Sequence, residues 1–382
     1  MTTTSPATAG TPSTPPPPGR GPSGHGIRTV TALDLRQRVR STRWQAALAV
    51  WFVIVGVITW LVTAAAGWVT GEGGFTEAQE AAGRTVFGLI LMFVLLLGLL
   101  ITPTMSASSI NGDRQNGTLA ILQATTLSSW DLTLGKLLAA WATSLAFLAI
   151  SLPFLAFGLS RGGTSVGAGV VAIGIVALIL LVVCGIGLGC SALTSRPAGS
   201  AVLTYLIVAG LAIGTPIAFG LSAVFVGTEE EVRVRDFPEE FWETYDWNEG
   251  DPDASDMQEC VWRTETQPVQ HLERTAWLLG LNPFVIVADA ATIGQSVSSA
   301  APDPLSGLSY LVRAAQQPPQ TEFDYCEGYG VMLYEPEEID PGAPIWPWGM
   351  GALLVLGAAG TWAAQRRLRT PAGVLPKGVR IA

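Results

Sequence analysis

The stretch Ser106–Lys136, SASSINGDRQNGTLAILQATTLSSWDLTLGK, decides how the rest of the chain is read. It is polar, and apolar runs flank it on both sides, Gly83–Met105 and Leu132–Leu159. At about 1.5 Å per helical residue, roughly 20 residues cross the ~30 Å hydrocarbon layer of a bilayer, and both runs are long enough. The stretch is therefore the short hydrophilic connection of a membrane-embedded chain. Helix-start residues occur in it twice: Asn116 or Thr118 ahead of Leu119, Ile121 and Leu122, and Ser128/Ser129 ahead of Trp130, Leu132 and Leu134. The pattern predicts a short amphipathic helix at the membrane surface, a shape that a soluble partner could grip.

Working outward, the composition agrees. Of 382 residues 49% are hydrophobic and 13% charged, about half the charge of a soluble domain. Six apolar runs lie near Ala46–Val69, Gly83–Met105, Leu132–Leu159, Val166–Leu193, Ser200–Val226 and Trp346–Ala364. They predict an all-α integral membrane protein with six transmembrane helices and a loop-rich insert between helices 5 and 6.

Charge divides the chain. Residues 227–345 hold 24 of the 30 acids and 5 of the 21 bases, a net of −19, whereas the remainder carries 16 bases and 6 acids, a net of +10. Arg and Lys favour the cytoplasmic ends of spans. Arg28, Arg36, Arg38, Arg40 and Arg43 before span 1, with Arg366, Arg367, Arg369, Lys377 and Arg380 after span 6, place both termini in the cytoplasm of a multi-pass plasma-membrane protein. Six crossings return the chain to its starting side, which puts the acidic insert outside.

The expected organisation is then a disordered cytoplasmic leader (1–26, rich in Pro, Gly, Ser and Thr), an interfacial amphipathic helix (27–45) and spans 1–5 with the loop 106–131 (46–226). The acidic extracytoplasmic insert (227–345), span 6 (346–364) and a basic cytoplasmic tail (365–382) follow. Trp44 and Trp68 bracket span 1 at belt positions. Pro103, Pro153 and Pro216 fall in or at the ends of spans, where neighbours re-satisfy the freed backbone groups. Gly185 and Gly189 form a small-xxx-small pair, suited to a homodimer face or to an intrachain contact. Within the insert, Trp277–Ala291 is apolar but interrupted at Asn282–Pro283, as suits a re-entrant or interfacial segment. Cys260 and Cys326 are disulfide candidates on the oxidising side; Cys184 and Cys190 read as small packing residues in span 4.

The residues for several chemistries are missing. The only Gly-Lys pair, Gly135–Lys136, has Trp130 where a phosphate loop needs its first glycine and Leu137 where Ser or Thr should follow. Two distant histidines, His25 and His271, make neither a metal cluster nor a triad. The acidic run from Asp251 has Asp256 at the sixth position and Trp262 at the twelfth, unlike a calcium loop. No catalytic or metal residues are assigned, and no enzyme activity. Span centres without acids, lysines or histidines argue against an ion-coupled transporter.

The loop residues Asp113-Arg114, Gly117-Thr118-Leu119, Leu122, Leu127-Ser128 and Gly135-Lys136 resemble the cytoplasmic signature of type-2 ATP-binding-cassette (ABC) exporter permeases. Asp113 stands where that family usually has Glu, and Thr126 where Pro is common. The resemblance extends to the six-span layout, the interfacial first helix and the Asn282-Pro283-Phe284 segment. It implies a transport subunit that dimerises with itself or a second permease and recruits a separate ATP-binding subunit. ATP and Mg would sit on that partner, so no cofactor is expected in this chain and no nucleic acid among its partners. It also implies a coupling helix around Asn116–Thr126 with Asp113, Arg114, Asn116, Gly117, Thr118, Leu119 and Leu122 at the ATPase contact: the charges touching the partner, Gly117 permitting the turn, and Leu119 and Leu122 protruding as knobs. The competing reading is a membrane-anchored sensor or cell-envelope assembly protein that binds through its acidic external domain.

Overall fold

Long apolar stretches become long helices. The computed structural model describes residues 21–70, 76–123, 127–238, 260–293, 297–298, 303–326, 338–339 and 344–369. Residues 1–20 of the leader, the acidic 239–259 stretch and the tail after 369 lie outside these. In order come α1 (Gly24–Val39), α2 (Thr42–Thr70), α3 (Thr76–Ser106), α4 (Ser109–Gln115), α5 (Thr118–Gln123), α6 (Ser129–Ser160), α7 (Val166–Leu193), α8 (Pro197–Ala209), a π-helical turn (Gly210–Gly214) and α9 (Thr215–Ser222). Among the described residues five segments are long and apolar enough to cross a membrane: Thr42–Ala66, Gln79–Gln115, Ser129–Ser160, Val166–Leu193 and Pro197–Ser222. The sixth expected run is helical but is not among these five, because Trp, Pro, Gly and Thr dilute its apolar middle.

The first two elements correct the expected boundaries. Helix starts at Gly24, inside the leader, because the Ser23 hydroxyl accepts from Gly26 N and caps it. It then stops at Val39, and Arg43 and Trp44 belong to the next helix.

At the centre lies α7. It has no charged residue and is apolar all round, the mark of a core helix. Its partner is α13 (Trp346–Leu368), and glycines bring the two backbones together. A Cβ on Gly185 would lie 2.5 Å from Gly357 O, and one on Gly189 2.7 Å from Gly360 Cα. The small-xxx-small pair is thus spent within the chain. Cys184 and Cys190 are buried free thiols beside it.

The insert departs most from its sequence reading. The chain is mostly helical, consistent with the expected all-α membrane protein, but the insert read as loop-rich carries a small sheet among its described residues. β1 (Gly227–Asp236) pairs antiparallel with β2 (Val261–Gln270) and parallel with the short β4 (Glu322–Asp324); β3 (Val297–Ser298) pairs with β5 (Glu338–Ile339). Alternation explains β1: Val232 and Val234 are buried, while Arg233 and Arg235 reach Glu322 (2.7 Å) and Asp324 (3.0 Å) on the other face. A disulfide joins Cys260, just before β2, to Cys326, just after β4.

His271 closes the foot of this sheet. One ring nitrogen lies 2.8 Å from Glu230 and the other 2.9 Å from Glu273. Hydrogen bonds to these two carboxylates hold its pKa above the ordinary value, against desolvation and the nearby Arg274. Because the folded state binds this proton more tightly, the contribution to stability is complete below the unfolded pKa of about 6.5 and disappears as pH rises through the higher folded value. A His271→Gln variant should therefore melt below wild type at mildly acidic pH and converge with it in alkali. A constant difference at all pH values would mean that the imidazole acts by packing alone.

The remaining insert helices are α10 (Trp277–Gly280), α11 (Pro283–Ala291) and α12 (Pro304–Ala314). Ile286, Val287, Ala288, Ala290 and Ala291 of α11 join the same buried core as α3 and α7. A proline placed the contact that seats α11. Pro216 lacks an N–H and its ring crowds the carbonyl four residues back, that of Ala212. The helix widens into the π turn, with Thr215 N bonded to Gly210 O. Asn282 Nδ2 then donates to Ala212 O (2.9 Å), while its Oδ1 accepts from Phe284 N (2.8 Å) and caps α11. The proline is thus a docking feature, and the Asn-Pro pair both starts a helix and mends a broken one.

Candidate functional site

At the end of the bundle opposite the sheet's own connection to α9, helices α1, α4 and α6 meet around one buried cation. Gly135 makes this possible. A Cβ there would lie 2.6 Å from Val30 Cβ, so only glycine lets α1 approach α6, and Thr31 Oγ1 donates to Gly135 O (3.1 Å). The next residue, Lys136, is 2% exposed. Its Nζ lies 2.5 Å from Asp113 on α4 and 3.6 Å from Asp34 on α1, and donates to Ser109 O (3.2 Å). Arg38, one turn on from Asp34, donates to Met105 O (3.0 Å). Burial lowers its pKa, while Asp34 and Asp113 counter that effect. Two cations thus face two carboxylates, and a buried charge held in this way is compensated.

The start of α6 is fixed as its sequence implies. Ser128 and Asp131 form a capping box. The other oxygen of Asp131 accepts from Ser23 N (2.6 Å), so one carboxylate caps both α6 and α1.

A second, uncharged contact ties α4 to the far side. The Ser191 hydroxyl of α7 accepts from Ile110 N and Asn111 N, each at 3.1 Å. Asn111 Nδ2 donates to Thr194 (3.1 Å) and to Ser200 of α8 (3.4 Å), and Ser200 donates to Ala107 O (2.6 Å).

The predicted loop residues do not all lie where their expected roles would put them. The helix expected over Asn116–Thr126 is present as α5, which begins at Thr118, with residues 124–126 outside those described. A second short helix, α4, precedes it, and the two are separated at Asn116 and Gly117, where Gly117 takes a φ of +72°. Asp113 points inward to Lys136 rather than outward. Leu119 is buried, and Leu122 packs half-buried with it against Val30, Ile110, Leu132 and Leu188. These leucines hold α5 onto the bundle and are not protruding knobs. Arg114 is half-buried in the last turn of α4. Gln115, Asn116 and Thr118 are exposed, and the Thr118 hydroxyl closes the corner on Asp113 O (3.2 Å).

Asp34 and Asn111 were missed in the sequence, and Lys136 was noted only as part of the Gly-Lys pair. Signals existed for two of them, the lysine near the start of a long apolar helix for Lys136 and the only acid in the basic stretch 27–45 for Asp34, and none for Asn111.

The amino-acid sequence that forms this bundle is matched by one family model. That model, described as ABC-2 family transporter protein, covers residues 28–246, more than half of the chain, from α1 past the end of β1.

The chain belongs to the ABC-2 transporter family.

No curated protein matches it at a significant level. As an ABC-2 family member it is a multi-pass membrane protein and the membrane subunit of an ABC transporter.

Proposed function

We propose that this ABC-2 chain is the permease subunit of an exporter, driven by ATP hydrolysed on a separate ATP-binding subunit that seats on the α4–α5 corner. In this reading it has six spans in the plasma membrane, with α13 the sixth. Both termini and the corner face the cytoplasm and the sheet lies outside; two permease subunits, identical or not, form the unit. ATP and Mg belong to the partner.

One observation carries the reading: the corner is tied at once to α1 and α6 through Lys136 and to α7 and α8 through Asn111, yet it offers Gln115, Asn116 and Thr118 to solvent. A push on such a corner cannot be taken up by a slack loop. It tilts four helices together, which turns closure of the partner into movement of the spans.

Gly117 is the position to test. Proline fixes φ near −65°, incompatible with +72°, and removes the N–H that bonds to Arg114 O (3.3 Å). Gly117→Pro should abolish co-purification of a phosphate-loop ATPase from the native membrane and any ATP-dependent transport, with the bundle still folded by thermal unfolding. An ATPase that stays bound to the variant at wild-type level, or a wild type that binds none, would refute the reading.

A further inference from the structure

Beside the π turn, a half-open cleft of about 720 Å³ lies between α9, α3 and the insert helices. That volume lies within the ~300–1,000 Å³ typical of small-molecule sites. Its walls are apolar: Met92 of α3, Phe219 of α9, Phe284 of α11, and Leu308 and Leu311 of α12 among them. Asn282 also lines it, but both ends of its amide are committed, Nδ2 to Ala212 O and Thr215 Oγ1 and Oδ1 to Phe284 N and Val285 N. The cleft therefore has nothing to offer a polar ligand.

Its rim is apolar and exposed as well. Leu311 is 60% exposed, and Ile217 and Leu221 on α9 are similarly open. Ile217 and Leu221 belong to a segment, Pro197–Ser222, apolar enough to cross a membrane, so the surface that α9 presents beside the cleft is covered by lipid. The cleft is a recess in that same surface. Water gains no hydrogen bonds there, and an empty recess would forfeit the dispersion contacts of every wall atom.

We propose that this cleft is a binding site for one hydrocarbon chain of a membrane phospholipid, which enters sideways from the bilayer past Leu311. The hydrocarbon chain fills the cleft and props α9 against α11 and α12. The site involves neither the Lys136 cluster nor the exposed corner, so it stands whether or not the exporter reading holds.

The test uses the full chain in phospholipid nanodiscs carrying a phosphatidylcholine with a photoactivatable group at the end of one acyl chain. Cross-linked peptides are then mapped. Labelling should concentrate in the segments 212–219 and 308–315 rather than on the equally lipid-exposed α8 around Val202. Ala314→Phe, which fills the cleft, should lower labelling of the 212–219 segment about tenfold, the change expected for about 1.4 kcal/mol of lost binding. Val202→Phe should leave it unchanged. Ala212→Phe fills the cleft from the opposite wall and serves if Ala314→Phe does not fold. Uniform labelling of all exposed apolar faces, labelling insensitive to the filling variants, or cross-links to a second copy of the chain in place of lipid would each overturn the proposal.

Discussion

Replacing Lys136 with methionine is expected to lower stability by about 3 kcal/mol, the low end of what is lost when one member of a buried ion pair is removed. Methionine fills the space but leaves Asp113 and Asp34 facing one another with only Arg38 near. Both carboxylates keep some access to water, at 26% and 16% side-chain exposure, which is why the low end applies. The loss should be local first: amide exchange should speed up in α1 and α4 while α7 stays protected. Adding Asp113→Asn to the methionine variant should recover part of it, because the coupling between the two positions vanishes when neither is charged. If the single variant unfolds with wild-type midpoint and unchanged exchange in α1, the cluster does not hold these helices together.

Asp289→Ala should cost as much or more, about 3–5 kcal/mol. Asp289 is fully buried on α11, and Arg313 on α12, 3.0 Å away, is 4% exposed. Its second oxygen accepts from Ile345 N (2.8 Å) and Trp346 N (3.0 Å), the orphan amides at the start of α13. One carboxylate thus fixes three elements, and alanine leaves a buried guanidinium and two backbone donors to find other partners. Asp289→Asn keeps an acceptor for those donors and should lose less. The check is thermal unfolding of the detergent-solubilised protein with proteolysis of the α12–α13 region. An alanine variant within about 1 kcal/mol of wild type would show that the Asp289–Arg313 pair only balances its own desolvation.

Neither aspartate was legible as a site in the sequence, and the reason is the same for both. Asp34 sits among arginines on a surface helix and Asp289 in an apolar run, so local pattern gives each a solvated or interrupting role. Their partners lie about 100 and 24 residues away, and a one-dimensional pattern holds no information about which distant residue will face them. The leucines of α5 failed differently. Apolar periodicity correctly marked Leu119 and Leu122 as one face of a helix, but it cannot tell whether that face turns to a partner or back to its own bundle. In the insert, the alternation Val232-Arg233-Val234-Arg235 was a readable strand signal, masked by the acidic composition around it.

The amino-acid order alone determined the long helices, the polar corner between the second and third of them, the helix start at Ser128 and the family resemblance. Each depends on neighbours within a few residues: chain length against bilayer thickness, or a side chain against the next turn's amides. Only the tertiary structure decided that Gly185 and Gly189 serve α13, that Asn282 mends the break made by Pro216, and that Lys136 joins α1 to α4. Those outcomes depend on close approach between segments far apart in sequence, where a missing Cβ or one buried charge selects the partner only after the helices have packed.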